Sequence, residues 1–314
     1  MYVLGFDIGG TKCAVLLAKT TPQQITFIER QEMPTRGSWQ EMLAQLCECA
    51  EGILQKYSIE RQDCKIGISC GGPLDAAKGI ILSPPNLHGW DEVPIVEYFQ
   101  RQMGIPAKLK NDADACALAE WRYGAGRGSK NMVFLTFGTG LGAGLILNGQ
   151  LYSGTNGMAG EVGHLRIEKD GPIGYGKRGS LEGFCSGGGI RQIAQSMAEK
   201  LHSEGKTASF AKGTEITAKE VALAAQQGNA DALEVFSISG RYFGRGLSIL
   251  IDILNPEVIV AGSIFARAGQ FMLEEMTAEL KKEALAPALA ACKIVPAQLG
   301  EQIGDYAAVV AALE

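Results

Sequence analysis

Apolar residues along this chain follow two periods. Tyr2–Leu4 and Cys13–Leu17 are short apolar runs on either side of Gly5-Phe-Asp-Ile-Gly-Gly-Thr-Lys12, which reads as two strands joined by a glycine turn. Met132–Phe137 and Leu145–Leu147 flank Gly138-Thr-Gly-Leu-Gly-Ala-Gly144 in the same way. Laid over each other, Phe6 meets Phe137 and Gly9 meets Gly140, so one supersecondary unit is expected twice. After Ser38 the period changes. Ser38-Trp-Gln-Glu41 is a capping box, and Trp39, Met42, Leu43, Leu46, Ala50, Ile53 and Leu54 then repeat at helical spacing. Strands are expected at 65–69 and 107–110, the second running into Asn111-Asp-Ala-Asp114 and an Ala-rich helix to Arg122. Further helices are expected at 189–201, at 217–227 behind a Thr217/Glu220 capping box, and at 230–254. Asn255-Pro-Glu-Val-Ile-Val-Ala-Gly262 reads as a last buried strand opening onto a glycine. The glycine-rich stretch 155–184 is too long for a plain connection, and segments of that kind are usually functional.

The glycine spacing carries chemistry. A dinucleotide fingerprint is Gly-x-Gly-x-x-Gly running from a strand into a helix. Here Gly138, Gly140, Gly142 and Gly144 recur with period two and lead into another strand, which is hairpin spacing. Residues without Cβ let backbone N–H groups approach an anion closely, and a short run of them forms a cradle for phosphate oxygens. Each charge-assisted bond of this kind contributes roughly 1.5–3 kcal/mol. Either hairpin alone is compatible with an ordinary tight turn. The pair, with Asp7 and Lys12 beside the first, implies two lobes closing on a nucleotide.

Composition agrees with a soluble, cytoplasmic enzyme. The 314 residues suffice for two cores of ordinary size, and a net charge of -5 argues against a nucleic-acid surface. No apolar stretch approaches membrane-spanning length, and a first strand starting at Tyr2 leaves no room for a signal peptide. The eight cysteines lie mostly in apolar, periodic segments and read as small buried hydrophobes rather than a disulfide framework.

Gly5–Lys12, Ser83–Trp90, Asn111-Asp112, Gly138–Gly144, Gly160-Glu-Val-Gly-His164, Glu182 and Ala261-Gly-Ser263 together resemble the ROK family of sugar kinases and sugar-responsive repressors. The resemblance runs nearly end to end. It implies an α/β, two-lobed actin-like or hexokinase-like (ribonuclease H-like) ATPase fold with a duplicated core. Residues 1–112 plus 300–314 would form a small lobe and 113–299 a large one, with sugar and ATP in the cleft between them. It also implies transfer of the γ-phosphoryl of ATP to a hexose hydroxyl, usually the one on C6, in a protein that forms homodimers or homotetramers.

Phosphoryl transfer needs an aligned acceptor, neutralised phosphates and a base on the hydroxyl. Asp112 is the expected base, its carboxyl raised by like-charge repulsion if Glu161 and Glu182 converge on it as the resemblance implies. The competing reading is that Asp112 caps the helix after it. Asp7, on a strand that otherwise reads as buried, is expected to face magnesium, directly or through water. Gly9, Gly10, Thr11, Lys12, Gly138, Thr139, Gly140 and Gly142 are expected on the phosphates, and Gly262 and Ser263 near the adenine. Lys12 also reads as a solvated strand lysine. The resemblance places Asn111, Glu161, His164 and Glu182 in the hexose site, with Asn86 from the Ser83–Trp90 loop.

One departure stands out. Most ROK proteins carry a Cys-x-Cys-Gly-x-x-Gly-Cys zinc loop after the histidine, whereas this chain has Ile173-Gly-Tyr-Gly-Lys-Arg-Gly-Ser180 there. Ile173, Tyr175 and Ser180 cannot replace soft thiolate ligands. No zinc is expected, with packing and local hydrogen bonds, Tyr175 among them, holding the loop. Glucose is the default substrate from Ser83–Trp90, while mannose, fructose, allose and N-acetylated hexosamines stay open. A repressor would need a helix-turn-helix module ahead of the first hairpin, and a non-catalytic sugar-binding regulator is the remaining alternative.

Overall fold

A computed structural model of the protein describes residues 1–208, 210 and 216–314. The chain divides into two compact units, one of Met1–Gly128, Leu151–Ala159 and Glu301–Glu314, the other of Ser129–Gln150 and Gly160–Gly300.

The first unit begins with three strands, β1 (Tyr2–Ile8), β2 (Lys12–Thr20) and β3 (Ile25–Pro34), followed by α1 (Trp39–Tyr57). The expected capping box starts α1, with the Ser38 hydroxyl accepting the Glu41 amide and the Glu41 carboxylate accepting the Ser38 amide. Then come β4 (Cys64–Cys70), the short pair β5 (Leu74–Asp75) and β6 (Ile80–Ile81), α2 (Ile95–Met103), β7 (Ala107–Asn111) and α3 (Asp112–Tyr123). The main sheet has the order β3-β2-β1-β4-β7, with β1, β4 and β7 parallel and β1–β2 an antiparallel hairpin. Leu4, Phe6 and Ile8 project into a core with Leu43 and Leu46 of α1 and Phe99 of α2, the Phe6 and Phe99 rings lying 4.3 Å apart.

The second unit repeats this plan. It contains β8 (Met132–Leu135), β9 (Ala143–Leu147), β10 (Gln150–Leu151), the short pair β11 (Ile173–Gly174) and β12 (Lys177–Arg178), α4 (Leu181–Phe184), α5 (Gly187–Ser203), α6 (Ala218–Gln226), α7 (Ala230–Leu254), β13 (Val258–Ala261), α8 (Ile264–Ala268), α9 (Leu273–Glu283), α10 (Ala286–Ala291) and β14 (Lys293–Pro296). Its sheet runs β10-β9-β8-β13-β14, again an antiparallel hairpin followed by parallel strands. Gly240 and Gly244 on α7 let α9 approach closely, since a Cβ at either would lie 2.6 Å from a carbonyl oxygen of Met272 or Met276.

The chain then returns to the first unit as α11 (Ile303–Ala311), which lies on the sheet face where Gly5 and Gly67 leave room for Ala308. Among the described residues no helix is long and apolar enough to cross a membrane.

Three expectations change. The boundary expected at 112 falls at Gly128, because α3 packs against α11 and Arg122 pairs with Glu314. Residues 151–159 also join the first unit, where Ser153 donates to Asp114 at 2.8 Å. The overlay of the hairpins shifts as well. Ile8 pairs with Cys13 and Leu135 with Ala143, so Ile8 corresponds to Leu135 and Phe137 lies inside a longer second turn, buried 5.1 Å from the Phe243 ring. Helix α5 starts earlier than expected because the Ser186 hydroxyl accepts the Gly189 amide and caps a first turn of three glycines.

Candidate functional site

In the first unit the candidate residues gather at the ends of the parallel strands. The Gly9 amide donates to the Lys12 carbonyl at 3.1 Å and closes the first turn. At Gly10 a Cβ would lie 2.1 Å from the Asn86 carbonyl oxygen, so the 83–90 loop rests directly on the turn and only glycine fits. Thr35, which sequence reasoning missed, grips the turn twice: its amide donates to the Thr11 carbonyl at 3.0 Å and its hydroxyl to the Gly9 carbonyl at 2.6 Å. Lys12 turns to β3, where its ammonium meets Glu32 at 2.8 Å with the side chain 59 % exposed. This ion pair favours the strand-lysine reading over a phosphate contact.

Asp7 stands at the end of β1, half-buried. Burial, then the carboxylates of Asp305 and Asp112, push its carboxyl up to about 6, against the opposing pull of Arg30 and Lys12. Asp305, also missed, lies in the first turn of α11 and accepts the Arg30 guanidinium at 2.8 Å. Gly304 beside it has no Cβ to meet Asp7, whose carboxylate oxygen would be 3.0 Å away.

Asn111 and Asp112 divide their tasks. Asn111 is the N-cap of α3, its side-chain oxygen accepting the Ala113 and Asp114 amides, so the capping role belongs first to Asn111. One Asp112 oxygen accepts the Ala113 amide at 2.8 Å, and the other faces Gly71. Asp112 keeps open surface yet is ringed by protein, and that loss of hydration raises its carboxyl above the ordinary aspartate range, partly offset by the backbone amides it accepts. Within this unit, burial is what raises Asp112, while like-charge repulsion acts on Asp7.

In the second unit the Gly138 amide donates to the Gly140 carbonyl, and the Gly142 amide to the Thr136 hydroxyl at 2.9 Å. Glu182 braces this turn. Its carboxylate accepts the Leu141 amide at 2.9 Å, and at Gly140 a Cβ would lie 2.7 Å from it. Two amides of the α5 terminus tie in from another side, Gly187 to the Gly138 carbonyl at 2.8 Å and Gly188 to that of Thr139 at 3.4 Å. A cavity of about 610 Å³ opens against the turn, lined by Gly138, Thr139, Ala222, Leu223, Ser263 and Ile264, with the cations Lys219 and Arg267 at its wall. Gly262 and Ser263 lead into it from β13. Ser263 has a φ of 49°, in the left-handed region unusual for serine, and accepts Arg267 at 3.0 Å. The α6 side of this cavity was not anticipated, because Ala218, Ala222 and Leu223 look in sequence like any amphipathic helix face.

Glu161 and His164 border the turn Val162–His164, both exposed, and the His164 ring stands edge-on to Tyr175 at 6.4 Å. The loop expected to lack zinc is a tight hairpin: β11 pairs with β12 around Tyr175 and Gly176, both at positive φ. Ser180 caps α4, its hydroxyl accepting the Gly183 amide at 3.1 Å. Cys185 is fully buried, its thiol pushed up by burial and donating to the Ser239 carbonyl. The described residues contain no group of three or more His, Cys, Asp or Glu placed to hold a metal ion.

The ROK family model matches residues 3–313. This chain belongs to the ROK family. It is 32% identical over 310 residues to a glucokinase from Halalkalibacterium halodurans, covering 96% of this chain and 92% of that one. It is 31% identical to an N-acetylmannosamine kinase from Escherichia coli, covering 88% of each. Among solved structures, a ROK family glucokinase from Streptomyces griseus in complex with glucose and AMPPNP superposes with a TM-score of 0.80 at 26% identity, covering 100% of this ROK chain and 99% of that one. The expected α/β, hexokinase-like fold with a duplicated core is thus borne out.

Proposed function

We propose that this ROK protein transfers the γ-phosphoryl group of ATP to a hexose hydroxyl, with glucose the first candidate. The observation that carries this reading is Asp112: a carboxylate made more basic by its surroundings, beside Asn111 and in the same unit as the first glycine turn. Asp112 takes the proton of the attacking hydroxyl as its oxygen bonds to the γ-phosphorus and the bond to the β-phosphate oxygen breaks, releasing ADP. A raised pKa suits that role, since a base nearer the working pH accepts a proton more readily in the transition state.

Asn86 and Asn111 hold sugar hydroxyls near Asp112. The cavity on the second glycine turn takes the nucleotide: Leu223 and Ile264 are suited to a base, and the Thr139 hydroxyl to a phosphate oxygen. Ser263 lines the cavity just past β13, with Gly262 immediately before. Magnesium fits Asp7, a hard oxygen donor whose acidic surroundings leave a need for positive charge. Asp7, with Asp305 beside it, would hold the ion directly or through water, and the bound ion would neutralise phosphate charge.

The glucokinase and N-acetylmannosamine kinase relatives support the reaction class and define the test. Glucose, mannose, fructose, allose and N-acetylmannosamine are each incubated with protein, ATP and magnesium, and ADP release is followed. Turnover on at least one, fastest on glucose, is the expected result. Sugar binding without ADP release on any of them would support a regulator instead.

A further inference from the structure

The segment that carries cysteines in most ROK proteins here has a different support, centred on a residue outside it. Gln192, on the second turn of α5, binds the backbone of Ile173 from both sides. Its side-chain oxygen accepts the Ile173 amide at 2.9 Å and its side-chain nitrogen donates to the Ile173 carbonyl at 2.8 Å. That nitrogen also donates to the Gly188 carbonyl at 3.3 Å. The zinc ligand positions do not match the family's thiolate set: Ile173 offers no donor, Tyr175 offers a hard phenol oxygen in place of a soft thiolate, and the Ser180 hydroxyl is spent on the Gly183 amide and the Gly174 carbonyl.

Two routes run from Gln192 to the second glycine turn, both inside the second unit. Along the first, Ile173 leads to Gly174, which packs so tightly on α4 that a Cβ there would lie 2.6 Å from the Gly183 amide and 2.7 Å from Glu182 Cβ. Glu182 then holds the Leu141 amide. Along the second, Gly188 carries the Gln192 bond on its carbonyl, while its own amide donates to the Thr139 carbonyl.

We propose that Gln192 is a positioning residue that clamps the 172–180 segment without a metal and, through Glu182 and Gly188, fixes the glycine turn for nucleotide phosphates. The nucleotide part rests on the function proposed above; the clamp itself does not.

Gln192→Met keeps the length and loses the three hydrogen bonds. The expected results are a KM for ATP raised about tenfold with kcat changed less than about threefold, faster hydrogen exchange at the Leu141 amide, and faster tryptic cleavage after Lys177 and Arg178. Wild-type protein should carry well below one zinc per chain, and its cleavage rate should not change after EDTA dialysis. If Gln192→Met does not fold, Gln192→Glu carries the same measurements, since it keeps the bond from the Ile173 amide and loses the one to its carbonyl. About one zinc per chain, or unchanged exchange and cleavage in the variant, would overturn the clamp. A changed loop with an unchanged KM for ATP would overturn the positioning role. Wild-type protein that binds no ATP would instead refute the proposed kinase reading, while exchange and cleavage still decide the clamp.

Discussion

At Asp7 two demands on one carboxylate oppose each other. Burial and the neighbouring Asp305 and Asp112 favour its protonated form, with a pKa of about 6. The sign of the stability effect follows. A folded-state value above the unfolded one means the folded chain binds the proton more tightly, so at pH 8 the ionised Asp7 destabilises the fold, and that penalty fades as pH falls through 6. Asp7→Asn should therefore stabilise the magnesium-free protein at pH 8 by about 1–3 kcal/mol. The gain should shrink toward zero below pH 5, read as the difference in urea midpoint across pH, while turnover is lost at every pH. Asp112 has its pKa raised by burial too, but its partners are the backbone amides of its own helix start, which keep the ionised form usable.

Among the elements, the two glycine turns are held by different means. The first is held on its carbonyls by the amide and hydroxyl of Thr35, and the Asn86 loop lies against Gly10. The second is braced by side chain and helix terminus, through Glu182 and the amides of α5. Gly10→Ala tests the first arrangement. The added methyl meets a backbone oxygen that cannot swing aside, so the 83–90 loop must move. A loss of about 1–3 kcal/mol in stability is expected, with kcat/KM for the sugar falling about 10²-fold. An alanine variant with native turnover would mean that the contact between loop and turn has no part in sugar binding.

Over the whole molecule, much of the plan is written in local pattern. Glycine turns with apolar flanks give both hairpins, and the box at Ser38 and Glu41 gives the start of α1. The uninterrupted apolar periodicity of 230–254 gives α7. What escaped depends on contacts far apart in the chain. Asp305 reaches Asp7 only because α11 returns to the first sheet, and Arg30 meets it across an interval no local pattern spans. Thr35 looks like a plain residue at the end of a strand until β3 sets it over the turn. The boundary at Gly128 follows from α3 packing on α11, which composition does not reveal. The exchange of cysteines for Ile173, Tyr175 and Ser180 was visible, whereas the clamp from Gln192 required the geometry of α5.

The account as a whole depends on Asp112 acting as the base of a sugar kinase. Asp112→Asn keeps the size of the side chain and an oxygen for the Ala113 amide but removes the basic carboxylate. Measured on one preparation, ADP release should fall by about 10²–10⁴-fold, while calorimetric affinity for the preferred hexose stays within about threefold of wild type. An Asp112→Asn protein that phosphorylates the sugar at near wild-type rate would contradict the account.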